Sequence, residues 1–195
     1  MSRIGILILA AGASSRLGQP KQLLSYQGKP LIRQMAEVAI SSGCHPIGIV
    51  LGAYGETIQP YLADLGIHII YNKQWQTGMA GSLQCGLREI LMLSPDLDAI
   101  VLMVCDQPFV SPRLIHQLIS SYQALNYPIV ASKYAGILGV PALLHRSFFP
   151  DLFALQGDMG ARVIIQQHRS RSLSIPFAEG AIDLDTPQSL EILEP

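Results

Sequence analysis

Residues 4–24 read IGILILAAGASSRLGQPKQLL: an apolar run breaks into small residues, gathers an arginine and a lysine, and turns apolar again. Ile4 to Leu9 is continuous and of strand length, the pattern of a strand covered on both faces. A Gly-containing loop directly after a first strand commonly holds phosphate, but neither familiar phosphate loop fits here. A GxGxxG turn would need glycines where this loop has Gly12, Ser14 and Leu17. A Walker A loop would need Gly-Lys followed by Ser or Thr, and Lys21 stands between Pro20 and Gln22. What remains is a small-residue turn, Ala10 to Ser14, whose backbone amides can approach a ligand closely. Arg16 can grip phosphate oxygens as a fork, and Lys21 can act on them as a compact point charge. Two cations together suit a triphosphate better than a single phosphate. On this stretch alone, a surface loop with two solvated charges is the competing reading.

Beyond the loop, strands and helices alternate. KPLIRQMAEVAISSG (29–43) predicts an amphipathic helix with Pro30 near its start and Gly43 past its end. IGIVLG (47–52) and IHIIY (67–71) are short strands with a helix expected between them, around Glu56 to Leu65. MAGSLQCGLREILML (79–93) is the next helix, and Asp98 to Cys105 the next strand. Ser111 is placed to cap a helix that opens with Pro112. From Pro128 on, the strands IVASKY, VPALLH and SLSIPF mix with helices near Phe148–Leu155, Ala161–His168 and Pro187–Leu193. This rhythm predicts one α/β domain over 1–195: three layers, a mostly parallel sheet with helices on both faces. Ligands of such sheets sit outside the carboxyl ends of the strands, where the 10–21 loop, the Gly78 segment and the Asp106 turn could share one crevice.

Composition narrows the function. The 195 residues are 49% hydrophobic and 14% charged with a formal net charge of −1, which suits one well-buried domain and argues against a nucleic-acid or membrane surface. No apolar run is long enough to span a bilayer and no signal cleavage pattern follows the first strand, so a cytoplasmic location is expected. Three widely spaced cysteines, Cys44, Cys85 and Cys105, read as reduced thiols, and five scattered histidines form no metal-ligand spacing. No GxSxG elbow occurs, because Gly12-Ala13-Ser14-Ser15-Arg16 has Arg16 at its fifth position.

Carboxylates supply the partners for the cations. Asp106 ends an apolar strand in LMVCDQP, a natural place for a magnesium ligand and equally for an Asp opening a turn before Pro108. In AIDLDTPQSLEIL (181–193), Asp183 and Asp185 precede a helix whose cap is Thr186, so they suit a helix start as well as a metal.

Taken in order, LAAGASSRLGQPK, GMAGSLQCGL, DQP, GILGVPALL, GDMGAR and DLDTPQ resemble the molybdenum-cofactor cytidylyltransferase family. That family is a branch of the nucleotidyltransferase superfamily, related to the molybdenum-cofactor guanylyltransferases. The resemblance runs from Ile4 to Leu193 and implies a Rossmann-like nucleotidyltransferase fold. It implies that Leu9, Ala10, Ala11 and Gly12 surround the nucleotide and that Arg16 and Lys21 hold its triphosphate. Asn72 and the segment from Gly78 to Ser82 would lie along base and ribose, and Asp106 and Asp185 would hold Mg²⁺. Gly139, Asp158 and Arg162 are the candidates for touching the acceptor. Ala11 gives the LAAG form seen in cytidylyl members, which favours CTP. The chain departs from the pattern at Met159, where many relatives carry a basic residue.

The expected reaction is attack by the terminal phosphate of molybdopterin on the α-phosphate of CTP, with Arg16, Lys21 and Asp106 as catalytic groups. The products are the cytosine dinucleotide cofactor and pyrophosphate. Partners are then small molecules and a molybdoenzyme that receives the product. Two other readings stand beside it: transfer to a sugar phosphate or another small phosphate, and a nucleotide-binding chaperone that delivers the cofactor without turnover.

Overall fold

In the computed structural model the described residues are 2–15, 17–182 and 184. In chain order the strands are β1 (Ile4–Ala10), β2 (Ser25–Tyr26), β3 (Lys29–Pro30), β4 (Ile47–Leu51), β5 (His68–Tyr71), β6 (Ala99–Val104), β7 (Ile129–Tyr134), β8 (Ile137–His145) and β9 (Ser172–Pro176). The helices are α1 (Leu31–Ser41), α2 (Gly55–Ile58), α3 (Met79–Leu93), α4 (Pro112–Leu125), α5 (Phe149–Ala154) and α6 (Ala161–Gln167).

Seven strands form one sheet in the order β5-β4-β1-β6-β8-β7-β9, with β2 and β3 as a separate small hairpin. β1 pairs in parallel with β4 and β6, and β4 with β5. β8 alone runs against its neighbours, antiparallel to β6 and β7, and β9 returns parallel to β7. The sheet is thus mostly parallel, as the alternating pattern predicts.

Burial on both faces explains the unbroken apolar strands. Ile4, Ile6 and Ile8 of β1 pack into one layer with the apolar side of α1 (Leu31, Ile32, Met35, Ala39) and with Leu114, Ile115 and Leu118 of α4. Leu7 points the other way, into a layer with Leu83, Leu87 and Ile90 of α3, Leu152 of α5 and Ile164 of α6. Gly86 lets α3 approach the sheet: a Cβ there would stand 2.5 Å from Val50 and 2.6 Å from Leu7. Ser111 caps α4 as its position predicts, its Oγ accepting from the Leu114 amide at 3.3 Å.

Three details differ from the sequence reading. The helix expected over Glu56–Leu65 is only the single turn of α2, followed by a 3₁₀ turn at Gln59–Tyr61. Pro60 has no amide to donate, and its ring collides with a continuing helix. β8 begins at Ile137, before the expected Val140, because Ile137 and Leu138 extend the antiparallel pairing with β7. The helix expected at Pro187–Leu193 lies outside the described residues.

Strand order reverses at β1: the chain first builds outward through β4 and β5, then crosses back to place β6 on the other side. Such a switch point opens a crevice at the carboxyl ends of the strands. Here Leu9 lies opposite Val104 and Ala10 opposite Leu51.

Candidate functional site

A cleft of about 390 Å³ opens at this switch point, lined by the residues from Leu9 to Ala13, by Lys21 and Gln22, and by Asp106. The far wall is Trp75, Gln76, Gly78, Met79 and Ser82, with Asp158 closing one end. The three segments expected to share one crevice therefore do so.

The loop is fixed from behind. Cys105 donates its amide to Leu9 O at 3.2 Å and Ala53 donates to Ala11 O at 3.2 Å. Gly52 is required for that second contact, since a Cβ there would stand 2.5 Å from Ala11 O. Ser14 takes a left-handed backbone (φ 51°) and its Oγ accepts from the Lys21 amide at 3.1 Å. Gln22, only 1% exposed, donates through Nε2 to Ala10 O at 2.8 Å and to Gly12 O at 2.9 Å. Gly12 is different. Among the described residues a Cβ on it would meet no atom within 4 Å, and Gly12 lines the cleft.

Across the loop, Lys21 Nζ donates to Asp106 Oδ2 at 2.6 Å, with the two side chains 18% and 22% exposed. Residues 85 positions apart are brought together because β1 and β6 are neighbours. The Asp106 turn is tied to the late chain: Leu184 donates its amide to Asp106 O at 3.4 Å, and Gln107 Nε2 donates to Gly180 O at 3.1 Å. Arg16, Asp183 and Asp185 lie outside the described residues.

Burial pushes the Cys105 thiol far above its ordinary range, and the neighbouring Asp106 carboxylate pushes the same way. Burial raises Cys44 and Cys85 too. All three are free thiols. Among the described residues no three His, Cys, Asp or Glu side chains are grouped to hold a metal by themselves. No helix among them is long and apolar enough to cross a membrane.

The far wall separates two roles. Gly78 has φ +106° and opens α3, and a Cβ there would stand 2.3 Å from Gly157 O. Ala80 donates its amide to that same carbonyl at 3.0 Å, which docks the GDMG turn on the start of α3. Ser82 lines the cleft. Asn72 is buried next to Ser82: its Nδ2 donates to Ser82 Oγ at 3.0 Å and its Oδ1 accepts from the Gln74 amide at 2.9 Å. It holds Ser82 and the Trp75 turn in place.

A second and larger cavity, about 780 Å³, adjoins the cleft and shares Leu9, Met79, Val104 and Asp158 with it. Leu83, Leu102, Tyr134, Val140 and Val163 make it apolar, and Arg162, Gln166 and Gln167 add polar groups. Met79 and Met159 stand on its walls, 44% and 39% exposed. Gly139 contributes by yielding space: a Cβ there would stand 2.3 Å from the Tyr134 hydroxyl, and Tyr134 lines the cavity. Of the three acceptor candidates, Asp158 and Arg162 thus border this cavity and Gly139 supports a side chain that does. Neither the cavity nor the buried Gln22 was legible in the motifs, since both arise from contacts between distant segments.

Comparison with known proteins agrees with the geometry. A family model described as MobA-like NTP transferase domain matches residues 6–172. Nicotine blue oxidoreductase of Paenarthrobacter nicotinovorans is 32% identical over 179 residues, covering 83% of this chain and 80% of that protein. A probable molybdenum cofactor guanylyltransferase of Nostoc is 25% identical over 199 residues, covering 100% of this chain and 92% of that one. Among solved structures, Rv0371c of Mycobacterium tuberculosis superposes with a TM-score of 0.86 at 29% identity, covering 98% of this chain and 97% of that one. A structure of Rv0371c in complex with manganese superposes at 0.81, with 27% identity and 98% of each chain covered. With a family match across most of its length and a fold shared with Rv0371c, this chain belongs to the MobA-like NTP transferase family and is a nucleotidyltransferase.

Proposed function

We propose that the protein transfers CMP from CTP to the terminal phosphate of molybdopterin, releasing pyrophosphate. The observation that carries this reading is the junction of two unlike cavities, a small-residue cleft bearing Lys21 and Asp106 and a larger apolar cavity beside it. Nucleotidyl transfer needs a place for a triphosphate and a place for an acceptor, with reacting atoms meeting between them. A cavity lined mainly by apolar side chains, with Arg162, Gln166 and Gln167 among them, suits a fused-ring acceptor that carries a phosphate at one end. The name of the Nostoc relative points to the same acceptor, and Ala11 in the LAAG form supports CTP over GTP.

The chemistry asks little of acids and bases, because a phosphate nucleophile is already ionised at neutral pH. An acceptor phosphate oxygen forms a bond to the α-phosphorus of CTP, and the bond from that phosphorus to the bridging oxygen breaks, so that pyrophosphate leaves with the electron pair. Backbone amides of Ala10–Ala13 cradle phosphate oxygens, and Lys21 offsets the charge that grows on the α-phosphate and on the leaving group. Arg16, outside the described residues, is assigned the same task from its place in the loop. Lys21 and Asp106 face each other as an ion pair at 2.6 Å.

Asp106 fits a divalent ion, since magnesium takes one or two carboxylates and fills its other positions with phosphate oxygens and water. Asp185 is its proposed companion. A bound ion supplies Lewis-acid charge to the triphosphate. The manganese complex of Rv0371c supports a divalent-metal requirement. A cytoplasmic molybdoenzyme is the partner that such a product implies.

Incubation with magnesium, CTP labelled at the α-phosphate, and either molybdopterin or a panel of sugar and polyol phosphates tests the acceptor. Label appearing on molybdopterin alone is the expected result. Label on a sugar phosphate, with none on molybdopterin, overturns the acceptor assignment.

A further inference from the structure

We propose that Gln22 is the positioning residue that turns the small-residue loop into a phosphate cradle, by drawing the Ala10 and Gly12 carbonyls inward so that the loop amides face the cleft. The inference rests on the reading of this cleft as a nucleoside triphosphate site. Gln22 is 1% exposed, and both of its Nε2 hydrogens are spent on the loop, at 2.8 Å to Ala10 O and 2.9 Å to Gly12 O. The orientation follows from chemistry: both partners are acceptors, so the amide nitrogen must face them. The remaining Oε1 is buried and has no hydrogen-bond partner among the described residues.

A buried, unsatisfied acceptor is costly to keep, and a leucine or methionine of similar size would avoid it. What the apolar side chain could not do is bond two carbonyls that stand two residues apart on the same loop. A carbonyl turned into the cleft would repel phosphate oxygens. The same carbonyl held against Gln22 is removed from the ligand, and its own peptide is fixed. Gln22 also follows Lys21 directly, so the bonds that shape the loop anchor the lysine backbone as well.

The test compares wild type with Gln22→Met, which keeps the volume and loses both bonds, and with Gln22→Glu. Dissociation constants for magnesium-CTP and magnesium-GTP are measured by calorimetry, and the melting temperature is measured without nucleotide. Gln22→Met is expected to weaken the preferred nucleotide by about tenfold to a hundredfold, the equivalent of one or two lost hydrogen bonds. In turnover, the loss falls on KM for the nucleotide more than on kcat. Gln22→Glu places an acceptor against two acceptors when ionised. Burial raises its carboxyl pKa, and the protonated form regains one donor. Its affinity relative to wild type is therefore expected to recover as pH falls from about 8.5 to about 6.

Unchanged affinity in Gln22→Met, with wild type binding normally, overturns the positioning role and leaves the nucleotide site standing. If Gln22→Met is too unstable to assay, a Gln22→Glu affinity that does not recover at low pH overturns it equally. If wild type binds no nucleoside triphosphate at all, the reading of the cleft fails and this inference falls with it.

Discussion

The two cavities that meet at Leu9, Met79, Val104 and Asp158 are made of opposite materials. The smaller is backbone and charge: a loop with almost no side chains, held from behind by Gln22, Ala53 and Cys105, with Lys21 and Asp106 facing across it. The larger is side chain and surface: leucine, valine, tyrosine and methionine from α3, β6, β7, β8 and α6. A triphosphate looks alike in every nucleotide, so its cradle can be rigid backbone. An acceptor differs from enzyme to enzyme, and side chains are what a sequence can vary without disturbing the fold. The contrast predicts that changes in the cleft abolish chemistry for any acceptor, whereas changes in the cavity alter which acceptor is used.

The strongest break comes at the charged pair. Asp106→Asn keeps shape and hydrogen bonding but loses the carboxylate, and turnover is expected to fall by about 10²–10³ with little change in melting temperature. Lys21→Ala should fall in the same range. Steady-state pyrophosphate release, with circular dichroism as the control for folding, measures both.

Next come two glycines that stand on opposite sides of the cleft and do different things. Gly12→Ala adds a methyl group that meets no atom of the described residues, and its φ is not in the left-handed region. Nucleotide affinity is expected to weaken by about tenfold or more while thermal stability holds or rises slightly. Gly78→Ala is the reverse case: φ is +106° and the new Cβ would stand 2.3 Å from Gly157 O. It should cost about 1–3 kcal/mol of stability, read from denaturant unfolding, because the chain there must shift. Equal effects of the two substitutions on stability would erase the distinction between a ligand-facing glycine and a structural one.

The smallest effect is expected in the larger cavity. Met159→Lys adds a cation on an exposed side chain beside Asp158, at the position where the sequence departs from the family pattern it resembles. A pair of that exposure is worth about 0.2–1 kcal/mol, so acceptor KM should move by about twofold to fivefold with the nucleotide KM unchanged. A shift in nucleotide KM instead would mean that the two cavities do not divide the substrates as proposed.

Much of this was legible in the sequence because it is local. The apolar run Ile4–Leu9, the small-residue turn after it and the Ser111 cap each depend on neighbours in the chain, and a mostly parallel sheet follows from the alternation. Pro60 already carried the signal that shortens α2, since a proline inside a helical stretch ends it. Other features depend on contacts that no motif records. Asn72 is assigned to the base and ribose by the family resemblance alone. Its side-chain amide bonds Ser82 Oγ and the Gln74 amide, which only the packing of α3 reveals. Gln22 enters the sequence reading only as the residue that breaks a Walker A pattern after Lys21, and its bonds to Ala10 and Gly12 form because the loop folds back on itself. Gly139 read as an acceptor contact, and it serves by making room for Tyr134.

The central claim is that the cleft holds CTP for attack, with Asp106 required for the chemistry. Pyrophosphate release with magnesium, molybdopterin and each nucleoside triphosphate in turn, wild type against Asp106→Asn, tests it most directly. Release with CTP, little with GTP, and near-baseline release from the variant are expected. Wild-type turnover in Asp106→Asn, or release with GTP in place of CTP, would contradict it.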